Sequence, residues 1–133
     1  MYAIQLKATV RLHECIAAEP TAVPQAREST ETACAELLVE LANVTLVVTE
    51  LITNAVVHGL DEPISLWICR HVGLLWVEVD NGSQPRSGLL LLCPSDDATS
   101  GRGLLIAMRF SETLWAHVGD ERMDLSAAFV FSA

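Results

Sequence analysis

Hydrophobic residues between Thr21 and Gly59 recur every three or four positions, while the segments on either side alternate residue by residue. A switch of period from two to about 3.6 and back again sets the layers before any motif is read: strands outside, helices between them. Over 2–12, Tyr2, Ile4, Leu6, Ala8, Val10 and Leu12 share one face, and Gln5, Lys7, Thr9 and Arg11 the other. That is a strand with one buried side. Residues 19–24 break the pattern, with Thr21 as an N-cap and Pro24 in a first turn, where no amide hydrogen bond is lost. Val23, Ala26, Thr30, Ala33, Cys34, Leu37 and Leu41 then mark the apolar side of a helix ending near Leu41. Asn43 caps a second helix, 44–58, closed by Gly59.

After a turn at 61–63, two β-rich runs, 64–70 and 74–80, form a hairpin around 71–73. Residues 81–100 hold Gly, Ser, Pro and Asp and read as one long loop, of the kind that covers a site. A helix over 104–110 follows Gly101-Arg102-Gly103, and strands 113–118 and 123–131 turn at Gly119-Asp120. The order strand, helix, helix, hairpin, lid, helix, hairpin predicts an α+β two-layer sandwich: a mixed β-sheet with helices on one face. At 133 residues the expectation is a single domain over 1–133.

Charge and composition narrow the function. Eight basic residues against seventeen acidic ones give −9, a balance that repels a phosphate backbone and argues against a nucleic-acid partner. No apolar run approaches the roughly 20 residues that span a bilayer, and residues 1–7 lack the basic n-region and apolar block of a signal peptide. The expectation is a cytoplasmic protein without a membrane role. Cys15, Cys34, Cys69 and Cys93 form no C-x-x-C pair, and His13-x-Cys15 has no second pair to complete a zinc site. The expected state is four reduced thiols.

Three clusters can carry chemistry. Glu50, Asn54 and His58 are spaced by four, so they form one stripe of the second helix, bordering the apolar side made by Val47, Val48, Leu51, Ile52 and Ala55. A carboxylate there can accept a proton, and an amide oxygen suits Mg²⁺. A solvated polar edge is the alternative that spacing leaves open. Asp80-Asn81-Gly82 ends a strand, where an Asp can accept from a ligand's amino group and a glycine permits close approach, or where an ordinary turn begins. Gly101-Arg102-Gly103-Leu104 precedes a helix, whose free amides can hold phosphate or whose glycines can hinge the lid. No P-loop, G-x-S-x-G or H-E-x-x-H pattern occurs.

In this order the three clusters resemble the N, G1 and G2 boxes of the GHKL superfamily of gyrase, heat-shock-chaperone, histidine-kinase and mismatch-repair ATPases. The run from Thr49 to Ala55, Val23-x-x-x-Arg27, Pro85-Arg86 and Ser100 to Leu104 resemble the small anti-sigma-factor serine kinases of the RsbW and SpoIIAB kind. The resemblance implies a Bergerat-type fold that binds ATP and Mg²⁺. It implies Glu50 as general base, Asn54 on Mg²⁺, and Asp80 accepting from the adenine amino group beside Gly82. Gly101, Arg102, Gly103 and Leu104 would hold the phosphates, and Ser126 would stand near the adenine where relatives have Thr. It also implies a sigma factor and a STAS-type anti-anti-sigma protein as partners, with phosphoryl transfer to a serine of the latter, and a possible homodimer.

The chain departs from the pattern at Gln84, where a second glycine belongs, and at 120–126, where the Gly-Gly-Lys-Thr segment is replaced. It departs again at Leu89-Leu90-Leu91-Leu92, an apolar run in a lid that is polar in relatives. These changes keep a second function open: a nucleotide-binding module that works by sequestering a partner without transfer. An isolated histidine-kinase catalytic domain is disfavoured, because no helical segment pairs a phospho-acceptor His with a heptad pattern.

Overall fold

The computed structural model describes residues 9–59, 62–71, 73–83, 109–118 and 123–130. Among these residues five strands form one sheet in the order β1-β2-β3-β5-β4. They are β1 (Thr9–Ile16), β2 (Ile64–His71), β3 (Leu74–Ser83), β4 (Thr113–Val118) and β5 (Met123–Val130). Two helices, α1 (Ala22–Cys34) and α2 (Leu41–His58), join β1 to β2. The expected α+β sandwich with helices on one face is what forms. The sheet differs in one respect: every described pairing is antiparallel, where a mixed sheet was expected. The two-helix connection explains this. One crossover helix returns the chain to where a strand began and makes its neighbour parallel. A second helix brings it back to where β1 ended, so β2 runs the other way.

The core lies between the helices and one sheet face. Val44, Val47, Val48, Leu51 and Ile52 of α2 are fully buried, and Ala55 nearly so. They pack against Ile64, Leu66 and Ile68 of β2, Leu75, Val77 and Val79 of β3, and Leu125, Ala127 and Phe129 of β5. All these strand residues share one parity of the pleat. The other parity forms a second face, where His13 stacks on Trp67 with ring centroids 3.5 Å apart.

Several boundaries moved. β1 runs on to Ile16, and a bulge between Val10 and Leu12 puts those two residues on opposite faces. Val10 is therefore half exposed while Leu12 packs on the core, because one extra residue in a strand inverts everything beyond it. Residues 2–8 of the expected strand lie outside the described residues. α1 stops at Cys34, seven residues short of Leu41. The chain must reverse before α2, and 35–40 do so with Leu37 and Val39 against the core and Leu38 exposed. Thr21 occupies the N-cap of α1 without a side-chain capping bond. The N-cap of α2 is Glu40, and Asn43 sits inside the first turn, its amide donating to the Glu40 carbonyl. Gly59 ends α2 as expected, its amide donating to Ala55 O at 3.0 Å.

β3 continues through Asn81 and Gly82 to Ser83, past a bulge between Asp80 and Ser83, where the strand was expected to end at Asp80 and the long loop to begin. Arg109 and Phe110 are helical, and the rest of the expected 104–110 helix, like the lid and its four leucines, falls outside the described residues.

Candidate functional site

α2 carries the first half of the site. Its register puts Glu50 and Asn54 one turn apart, beside the fully buried Val47 and Leu51. Glu50 is partly exposed, whereas Asn54 is buried with 8% of its surface open. The spacing puts a half-buried carboxylate and a buried amide one turn apart along the core edge. His58 is the last residue of the helix.

The second half lies at the far end of β3. Asp80 is the last regular ladder position before the bulge and pairs in register with Asp124 of β5. Ser126 pairs with Glu78 and donates its hydroxyl to Glu78 Oε1 at 3.2 Å. Asp80 and Ser126 occupy diagonal places across β3 and β5. They share the parity of Glu78, so they stand on the sheet face turned away from α2, while Val79 and Leu125 take the helix-facing places. Glu50 and Asn54 therefore lie on one side of the sheet, and Asp80 and Ser126 on the other. Asn81 and Gly82 lie within the bulge between Asp80 and Ser83. Gly101, Arg102, Gly103 and Leu104 lie outside the described residues.

Two acidic residues escaped the motif reading. Glu78 and Asp124 are almost fully buried, and burial, reinforced by the negative charge of Glu78, pushes the Asp124 carboxyl up to about 7. The signal was present in the alternation, since Trp76, Glu78 and Asp80 fall in one phase and Leu75, Val77 and Val79 in the other.

A separate cleft of about 290 Å³ opens at the N-terminal end of α2, where Glu40 and Asn43 face Arg109, Phe110 and Glu112. Among the described residues no group of three or more His, Cys, Asp or Glu side chains is placed to hold a metal. A Mg²⁺ ion dressed by nucleotide phosphates needs only one or two protein oxygens, and Asn54 offers one, so this donor set suits that ion. No helix among the described residues is long and apolar enough to cross a membrane.

A sheet backed on one face by α1 and α2, with an acid–amide stripe on α2, defines a two-layer α+β domain with a polar edge to its core. The family model for the histidine kinase-like ATPase domain matches residues 16–129, and the chain belongs to that family. Its fold is similar to that of a chain in the crystal structure of the SiaB–SiaC complex from Pseudomonas aeruginosa. The TM-score is 0.66 and the identity 16%, over 90% of this chain and 89% of that one. No curated protein sequence gives a significant match.

Proposed function

We propose that this chain is an ATP-binding regulator of the anti-sigma-factor type. In this reading it transfers the γ-phosphoryl group of ATP to a serine of a STAS-type anti-anti-sigma partner, sequesters a sigma factor, and acts in the cytoplasm, where it can pair with a second copy. The observation that carries the proposal is the Glu50–Asn54 stripe on the buried edge of α2, within a histidine kinase-like ATPase domain. The fold neighbour taken from a two-protein complex agrees with a partner-binding role.

The chemistry follows from the side chains. Glu50 takes the proton of the serine hydroxyl as its Oγ bonds to the γ-phosphorus and the bond to the β-phosphate oxygen breaks, releasing ADP. Asn54 would hold Mg²⁺ through its amide oxygen, and that ion, when bound, would neutralise phosphate charge. Amides around Gly101 and Gly103 hold the phosphates, with Arg102 and Leu104 flanking them. Asp80 is assigned to the adenine amino group; because it stands on the sheet face opposite Asn54, the nucleotide would have to pass round the end of β3 beside Gly82, an end that Ser126 supports through Glu78. Guanine carries a carbonyl where adenine has its amino group, so GTP binds more weakly.

A second reading keeps the nucleotide and drops the transfer. Gln84 in place of a glycine and the absence of a lysine from 120–126 favour it. Transfer from labelled ATP to a candidate anti-anti-sigma protein, run beside a binding titration, separates the two. Glu50→Gln should bind ATP nearly as wild type and transfer about 10²–10⁴ times more slowly. Tight ATP binding by a wild type that transfers nothing leaves the binding module. Equal affinity for ATP and GTP removes Asp80 from the adenine role.

A further inference from the structure

Glu78 and Asp124, which the nucleotide reading leaves unused, lie in the middle of the sheet with 1% and 3% of their surfaces exposed. Asp80 pairs with Asp124 and Glu78 with Ser126, so three carboxyl groups occupy adjoining places on one face. Diagonal neighbours across an antiparallel pair are about 7–8 Å apart at the backbone, within reach of long side chains. Ser126 donates to Glu78, but both carboxylate oxygens of Asp124 are buried with no donor among the described residues. An ionised carboxylate in that position is costly, and like charges placed opposite one another weaken a ladder.

We propose that Glu78 and Asp124 form a proton-dependent clasp between β3 and β5. With one proton between them, one carboxyl donates to the other and the strands are joined. With both ionised, the strands repel at the end where Asp80 stands. The clasp operates on the protein without nucleotide and does not rest on the proposed kinase chemistry.

Among the described residues, Asp80 of β3 and Cys69 of β2 border the pair, and His117 of β4 is the register partner of Asp124; the positive charge of the N-terminal amine also acts on Asp124 and Cys69. α1 and α2 pack on the opposite face. Burial is the main cause that raises Asp124 to about 7, followed by the adjoining Glu78 carboxyl and the charge of Asp80, while the positive charge of the N-terminal amine acts the other way. The Cys69 thiol is pushed up to about 11 by burial and by Glu78, so it stays neutral throughout the range that matters. In the unfolded chain Asp124 returns to an ordinary carboxylate value. The stabilisation from its proton is therefore complete below that value and is lost as pH rises through about 7. His117 is the register partner of Asp124, and the loss of a histidine's charge in this pH range gives a slope of the same sign, so His117→Gln is the control.

The test is a carboxyl-carbon NMR titration of Asp124 in the full chain, with melting temperatures between about pH 5.5 and 8.5, a range that brackets the neutral region. The expected result is an Asp124 midpoint within about one unit of neutrality, far above an ordinary aspartate. Melting temperature should fall with pH in wild type and in His117→Gln, and be flat in Asp124→Asn. Amide exchange in β3 and β5, corrected for intrinsic rates, should be about tenfold faster at the alkaline end, reporting local opening. An Asp124 midpoint below about 5, in the ordinary range, overturns the clasp. So does a slope that survives Asp124→Asn or disappears in His117→Gln. If Asp124→Asn does not fold, Glu78→Gln takes its place in the melts, and the wild-type titration alone still decides.

Discussion

Asn54 and Leu51 are one turn apart on α2, yet substitution at each should register in a different measurement. Leu51 is fully buried among the helix and sheet residues of the core. Leu51→Ala removes three heavy atoms and leaves a cavity, so denaturant unfolding should show a loss of about 2–5 kcal/mol. Asn54 lies at the edge of that core and is assigned to the metal, so Asn54→Ala should weaken ATP binding only when Mg²⁺ is present, while the unfolding midpoint changes little. An affinity loss equal with and without Mg²⁺ would move Asn54 from the metal to the nucleotide itself. The stripe was legible in the sequence because spacing by four fixes a helix face whatever surrounds it. The side of the sheet on which Asp80 and Ser126 stand was not taken from the sequence. Their placement followed motif spacing, which counts residues along the chain but carries no pleat phase. The phase was there in Leu75, Val77 and Val79, and it sets Asp80 beside Glu78 instead of beside α2.

Among the elements, the hairpin joining β2 to β3 turns on Gly73, whose φ is +72°. A Cβ placed there would meet nothing within 4 Å, so backbone conformation alone sets the cost of filling it. Gly73→Ala should destabilise by about 1–2 kcal/mol, the left-handed penalty of an L residue, and Gly73→Asn by less. Equal melting temperatures for all three proteins would show that the turn relaxes. This hairpin was readable because glycine punctuates it. The end of α1 was not: residues 35–40 contain neither Gly nor Pro, and Leu37 and Leu41 keep the helical period across a reversal of the chain. Periodicity detects which residues are buried, and here Leu37 and Val39 are packed on the core from a turn. The bulge in β1 defeated the alternation for a related reason, since no residue type marks it.

The whole molecule carries a net charge of −9. Self-repulsion of that size opposes the compact state, and salt screens it over a distance that shrinks from about 30 Å at 0.01 M to about 3 Å at 1 M. Melting temperature should therefore rise between low and high salt. The salt bridge between Arg11 and Glu36 works against this trend only weakly. Arg11 on β1 reaches Glu36 at 2.8 Å, with Glu36 80% exposed, a class of pair that contributes about 0–1 kcal/mol. A melting temperature that falls with added sodium chloride would mean that attractive pairs outweigh the excess of acid.

The strict two-phase character of β3 bears on how the gene for such a chain can change length. Adding or deleting one codon within 74–79 would swap the two faces downstream, turning Glu78 or Asp80 toward Val47, Val48 and Leu51 and presenting valines where carboxyls now lie. Beyond Asp80 the bulge already absorbs unpaired length, so an extra residue there leaves the upstream pleat untouched. Single-codon indels should consequently be tolerated after Asp80 and eliminated before it, and a deep scan of insertions and deletions across 74–83, scored by yield of folded protein, would draw that frontier at one position.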